Sequence, residues 1–210
     1  MPAKTLSISC WNVASVSAVP EDCDTLKTLS REHLSQVLGD WVLVWSISNE
    51  NKTSLLTNLT SSFVELQLTS DNSTLLFKEW NQFRDTSCSK YSMNLTMLSD
   101  ASQKFELATS GCIFEENGVQ TPYELTATVE FYETHKDCMT LFYKVTGGQY
   151  LLHYRREGRR QDAEQLVVVH DDHKKVAECL KFPFENPFIY DEAADPVLTC
   201  RQRLNPNSPE

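Results

Sequence analysis

The chain has 210 residues, 40% hydrophobic and 10% aromatic, enough for one domain with its own core and too apolar for general disorder. Its formal net charge of -10 excludes nucleic acid and anionic membrane surfaces as natural partners, since their phosphates would repel it. No apolar run reaches the roughly 18 residues a membrane-spanning helix needs, so the protein is not membrane-embedded.

The first element is Met1–Ala18. Lys4 precedes a moderately apolar stretch, and the small residues Val16 and Ala18 stand where a cleavage site needs them. This reads as a signal peptide, atypical because Asn12 and several serines interrupt it. Residues 19–200 then form a single domain, and 201–210 a flexible tail. The cysteines are Cys10, Cys23, Cys88, Cys112, Cys138, Cys179 and Cys200, and none forms a CxxC pair. That spacing argues against zinc and against a thioredoxin-like redox motif, and it suits disulfides. Loss of Cys10 with the signal leaves an even set. Sequons at Asn51, Asn58, Asn72 and Asn94 add N-glycosylation, and together with the cysteines they predict a secreted, extracellular protein.

From Asp40 onward, short runs of Val, Thr, Phe, Tyr and Leu alternate with Asn, Asp, Ser and Gly clusters. Eight strands are predicted: Asp40–Ser48, Ser61–Thr69, Thr74–Phe83, Ser89–Leu98, Lys104–Ala108, Tyr123–Glu133, Cys138–Val145 and Gln149–Arg155. The fifth is the least defined, because KFELATSGCIFEENG can hold a strand on either side of Gly111. Thr146-Gly147-Gly148 is a tight hairpin signal, so neighbouring strands are antiparallel. The period then changes: Asp162–Phe182 spaces its apolar residues as an amphipathic helix, and Pro183 ends it. The expected fold is all-β, an eight-stranded antiparallel up-and-down barrel with one C-terminal α-helix packed outside. Such a barrel has room for one small ligand. A two-sheet sandwich is the structural rival.

Alternation assigns faces, and a glycan cannot point into a cavity. With Asn94 outward, Tyr91, Met93, Leu95 and Met97 face in. The same reasoning turns Trp41, Leu43 and Trp45 inward, then Val64, Leu66 and Leu68, then Met139, Leu141 and Tyr143, and then Tyr150, Leu152 and Tyr154. In the sixth strand an inward Glu130 would be a buried carboxylate suited to a cationic ligand. Periodicity does not decide the third strand, where Leu75, Phe77, Glu79, Asn81 and Phe83 oppose Leu76, Lys78, Trp80 and Gln82.

Gly39-Asp40-Trp41, opening the first strand, resembles the Gly-x-Trp signature of lipocalins, in which the indole plugs the barrel floor. The resemblance continues through YRREG, AECLKF and NPFIYD, and is closest to the alpha-1-acid glycoprotein branch and its fish toxin-binding and organotin-binding members. It implies that Arg155 or Arg156 stacks on Trp41, and that Leu76, Lys78, Trp80 and Gln82 are the inward set. It also implies the disulfides Cys23–Cys179 and Cys88–Cys200. Cys112 and Cys138 are left over, and would pair if their strands are close. The implied ligands are small and apolar or cationic, such as guanidinium toxins like saxitoxin and tetrodotoxin, or organotin. The binding residues expected are Trp45, Leu66, Leu68, Trp80, Tyr91, Met93, Leu95, Glu130, Met139, Leu141, Tyr143, Leu152 and Tyr154.

No nucleophile elbow, metalloprotease motif, phosphate loop or dinucleotide fingerprint appears, so no enzyme and no cofactor are expected. His170 and His173, three apart on one helix face, could approach a metal, but without a third ligand at a defined spacing they read as solvated and no metal is assigned. The expectation is a monomeric carrier. A glycoprotein acting through protein partners as an immune or acute-phase modulator is the alternative.

Overall fold

The alternating runs fold as antiparallel strands because each can bury one face and pair its backbone with the next run. The computed structural model describes residues 23, 26–49, 55–97, 106–158, 173–183, 186–190 and 196–204. The signal segment, the Asn51 sequon, His170 and the first part of the expected helix lie outside the described residues.

The strands are β1 (Gly39–Ser48), β2 (Leu59–Leu68), β3 (Thr74–Phe83), β4 (Cys88–Met97), β5 (Glu106–Glu116), β6 (Val119–Pro122), β7 (Ala127–Tyr132), β8 (Cys138–Val145), β9 (Gly148–Arg156) and β10 (Phe188–Ile189). Eight of them follow one another around the sheet in the order β1-β2-β3-β4-β5-β7-β8-β9, and β1 also pairs with β9, so the sheet closes on itself. β5 continues through Gly111, which places strand on both sides of that glycine. The additional β6 returns along β5 by a tight turn at Asn117-Gly118, both with positive φ as such a turn requires. β10 adds to β1 at Trp45 and Ser46.

Helix α1 (Leu55–Asn58) precedes β2. Residues 173–179 form α2, the described part of the expected C-terminal helix. A further helix, α3 (Pro196–Leu204), takes in residues that the sequence reading gave to the flexible tail. It packs on the outside of β2, β3 and β4. Cys23–Cys179 ties the N-terminal segment to α2, and Cys88–Cys200 ties β4 to α3, as the resemblance implied. The pairing expected for Cys112 is not made: Cys112 is a buried free thiol on β5, whereas Cys138 is disulfide-bonded elsewhere.

The floor is built as its signature implies. A 3₁₀ segment, Arg31–Val37, crosses the end of the barrel and buries Leu34 and Val37. Gly39 follows with φ +106°, and a Cβ there would lie 3.0 Å from Arg156 Nη1, so the turn and the close approach both need glycine. Trp41 is fully buried, and its Nε1 donates to the Val37 carbonyl at 2.8 Å. Of the two candidate arginines, Arg156 covers the indole, its guanidinium carbon 4.1 Å from the ring centroid. Its nitrogens also donate to the carbonyls of Leu38 and Gln36 at 3.0 and 3.1 Å. Arg155 points the other way and is buried beneath the outer surface.

Candidate functional site

Opposite the floor, the barrel holds an open cavity of about 340 Å³, within the range of small-molecule sites. Its body is apolar, with Leu43, Phe77, Met93, Leu95, Val129, Leu141 and Leu152 on the walls. Tyr91, Tyr143 and Tyr150 add phenols, and Leu56, Leu59, Phe83, Tyr123, Leu125, Val145 and Thr146 add to the lining from the loops and strand ends. Tyr91, Phe114 and Tyr123 form an aromatic cluster with centroid separations of 5.0, 6.0 and 6.4 Å.

One carboxylate, Glu79, stands in this lining, and none of the lining residues is basic. Ser62 Oγ donates to Glu79 Oε1 at 3.3 Å, and Asn81 supplies a second side-chain hydrogen bond. Burial raises the Glu79 carboxyl above its ordinary range, and the two hydrogen bonds only partly oppose this. The charge of Glu79 also acts on its neighbours. The Tyr91 and Tyr143 hydroxyls are pushed up by burial first and then by Glu79. The Cys112 thiol is raised to about 11 by the same two causes, which keeps it protonated and unreactive. Asn81 Oδ1, buried on the cavity wall, has no hydrogen-bond partner among the described residues.

Six of the expected binding residues meet at this cavity: Tyr91, Met93, Leu95, Leu141, Tyr143 and Leu152. Leu66, Met139 and Tyr154 are buried in the same core without lining the cavity, and Leu68 packs against that core. Three expectations are corrected. A β-bulge between Leu43 and Trp45 inserts Val44, so Leu43 faces in opposite Tyr154 while Trp45 faces out opposite His153. Trp45 therefore packs beneath α2 with Ile47, Leu151, Val176 and Ala177.

On β3 the inward set is Leu75, Phe77, Glu79, Asn81 and Phe83, because Phe77 pairs with Leu66 and Glu79 with Val64. Trp80 consequently faces out, edge-on to Phe63 at 5.7 Å, with Arg201 of α3 lying over both rings. Lys78 also faces out and pairs with Glu65 at 3.4 Å. On β7 the lining residue is Val129, so Glu130 belongs to the outer face. The buried carboxylate expected from strand six is instead supplied by strand three.

His173, read as solvated, is buried and stacked on His153. Among the described residues no group of three metal-ligating side chains converges. Asn58, Asn72 and Asn94 are exposed. No described helix is long and apolar enough to cross a membrane.

No protein-family model matches the chain. It is 40% identical over 177 residues, 84% of its length, to saxitoxin and tetrodotoxin-binding protein 1 of Takifugu pardalis, and equally to protein 2 of that species. The chain spans 44% of the length of these relatives, less than half. Among solved structures it is similar to lipocalin 12 from rat epididymis, at 14% identity, 82% of this chain, 94% of the other and a TM-score of 0.59. It is also similar to the amine-binding protein of Rhodnius prolixus in its tryptamine complex, at 11% identity, 87% and 94% coverage and a TM-score of 0.62.

Proposed function

From the premise that the chain is a lipocalin close to two fish toxin-binding proteins, we propose that it is a secreted, N-glycosylated, monomeric and non-enzymatic carrier of a small organic cation with an apolar body. The observation that carries this reading is the charge pattern of the cavity: one carboxylate, Glu79, among apolar and phenolic walls without a basic side chain in the lining. A bound cation is held between Glu79 and the faces of Tyr91 and Tyr143, while its body displaces water from the leucines and methionine. The similarity to a saxitoxin and tetrodotoxin-binding protein and to an amine-binding protein in its tryptamine complex supports the same ligand class. Guanidinium toxins fit that description, as do aromatic ammonium compounds.

The test is calorimetric titration of the parent and Glu79→Gln proteins with tryptamine, with saxitoxin and with uncharged 3-methylindole. Loss of the charge should weaken both cations by about tenfold or more, the scale of one charge-assisted hydrogen bond, and leave the uncharged compound within about twofold. Equal losses for charged and uncharged compounds, or no binding of any of them to the parent, would remove the proposed role of Glu79. Calorimetry suits this protein better than tryptophan quenching, because Trp41, Trp45 and Trp80 all lie outside the cavity lining.

A further inference from the structure

On the outer face of the barrel a second buried cluster plays no part in the cavity. His153 and His173 are 2% and 4% exposed, and their rings are stacked with centroids 3.9 Å apart and planes 16° apart. Trp45 lies against both, at 5.3 and 5.4 Å. His153 Nδ1 is 2.7 Å from Thr140 Oγ1, and its Nε2 has no hydrogen-bond partner among the described residues. The stack joins β9 to α2, whose Val176 and Ala177 are buried on the same patch.

We propose that the His153–His173 stack is an acid-sensitive latch, which holds α2 on the barrel while both rings are neutral and lets it lift when one takes a proton. Face-to-face imidazoles at this separation cannot both carry charge, and a single imidazolium here is sealed from water by Trp45 and the helix. The charged and titratable groups on the elements packed against the stack carry both signs. From β9, Arg155 shares the face of His153 two residues along; from β8 come Thr140 and Phe142; and from β1 come Trp45 and Ile47. Glu130 of β7 lies one row beyond, opposite Phe142, and Lys174, Lys175 and Glu178 of α2 sit at or near the helix surface. His153 has no carboxylate partner among the described residues. The Cys23–Cys179 disulfide keeps a lifted α2 tethered, so opening is local and reversible. Leu152, next to His153 in β9, lies on the cavity wall, so the latch and the cavity share a strand.

Burial pushes His153 from its ordinary value down to about 3. The opened state takes its proton near 6.5, so closure is fully favoured above about pH 6.5 and is lost as pH falls from there toward 3. One such group raises the opening equilibrium by about 25-fold between pH 7 and pH 5. The test is hydrogen exchange of the ligand-free full chain over residues 173–182 at both pH values, corrected for intrinsic exchange rates. An acceleration of that order is expected in the parent and in Glu79→Gln, which separates the latch from ligand binding. It should fall to about twofold or less in the His153→Phe, His173→Phe double variant, which keeps ring stacking without a titrating group. An unaccelerated parent, or equal acceleration in the double variant, overturns the proposal. If the variant does not fold, imidazole NMR of the parent decides: protonation of both rings near their ordinary value overturns the latch, and a strong downward displacement of His153 supports it.

Discussion

Single residues here are set by which face of the sheet they occupy. Trp45 and Trp41 are both buried indoles on one strand, yet the bulge at Val44 gives Trp41 to the floor and Trp45 to the helix side. Trp45→Ala should therefore destabilise the fold by about 3 to 5 kcal/mol in chemical denaturation while leaving tryptamine affinity within about twofold. Arg156→Ala should also destabilise it, by about 1 to 3 kcal/mol, through loss of the stacked cation and of charge-assisted bonds to floor carbonyls. Glu79 gives the cavity a pH dependence of definite sign. Its carboxyl is raised by burial, so below that raised value the empty cavity is protonated and a cation must displace the proton. Cation affinity should then rise with pH through that region, with proton release visible as a dependence of calorimetric heat on buffer ionisation enthalpy. In Glu79→Gln this linkage should vanish.

At the level of the elements, local chemistry and distant packing separate. Strand runs, the glycine hairpin and the floor signature were legible because each depends on local chemistry: alternation, positive φ and a Gly-x-Trp turn. Facing was legible where one side of a strand is polar or carries a sequon, as on β4, whose Tyr91, Met93 and Leu95 do line the cavity. It was not legible on β3, where both faces carry large apolar groups because α3 covers the outside with Arg201 and the Cys88–Cys200 bridge. A helix that distant in sequence leaves no mark on the alternation of β3. The bulge in β1 was equally silent, since Val42, Val44 and Ile47 suit either face. Deleting Val44 should restore strict alternation, drive Trp45 into the cavity and destabilise the barrel, giving a lower melting temperature and loss of tryptamine binding. Replacing Cys88 and Cys200 by Ala should cost about 2 to 5 kcal/mol and free α3 from β3, detectable as faster hydrogen exchange in residues 196–204.

At the scale of the whole molecule, a closed sheet separates an inner surface that lines the cavity from an outer surface that carries the helices. Trp41 and Arg156 seal the floor, and among the described residues the cavity side carries Glu79, its neighbouring phenols and a protonated thiol. As proposed, the outer surface would answer to acid through the imidazole stack and the inner one to cation charge through Glu79. In the proposed complex a small organic cation sits inside the barrel with its charge on Glu79. The most direct measurement is a crystal structure of the protein with bound tryptamine. The ammonium nitrogen is expected at about 2.7 to 3.2 Å from a Glu79 carboxylate oxygen, with the indole between Tyr91 and Tyr143; tryptamine found only on the outer surface, or inside the barrel with its ammonium turned away from Glu79, would rule out cation binding at Glu79.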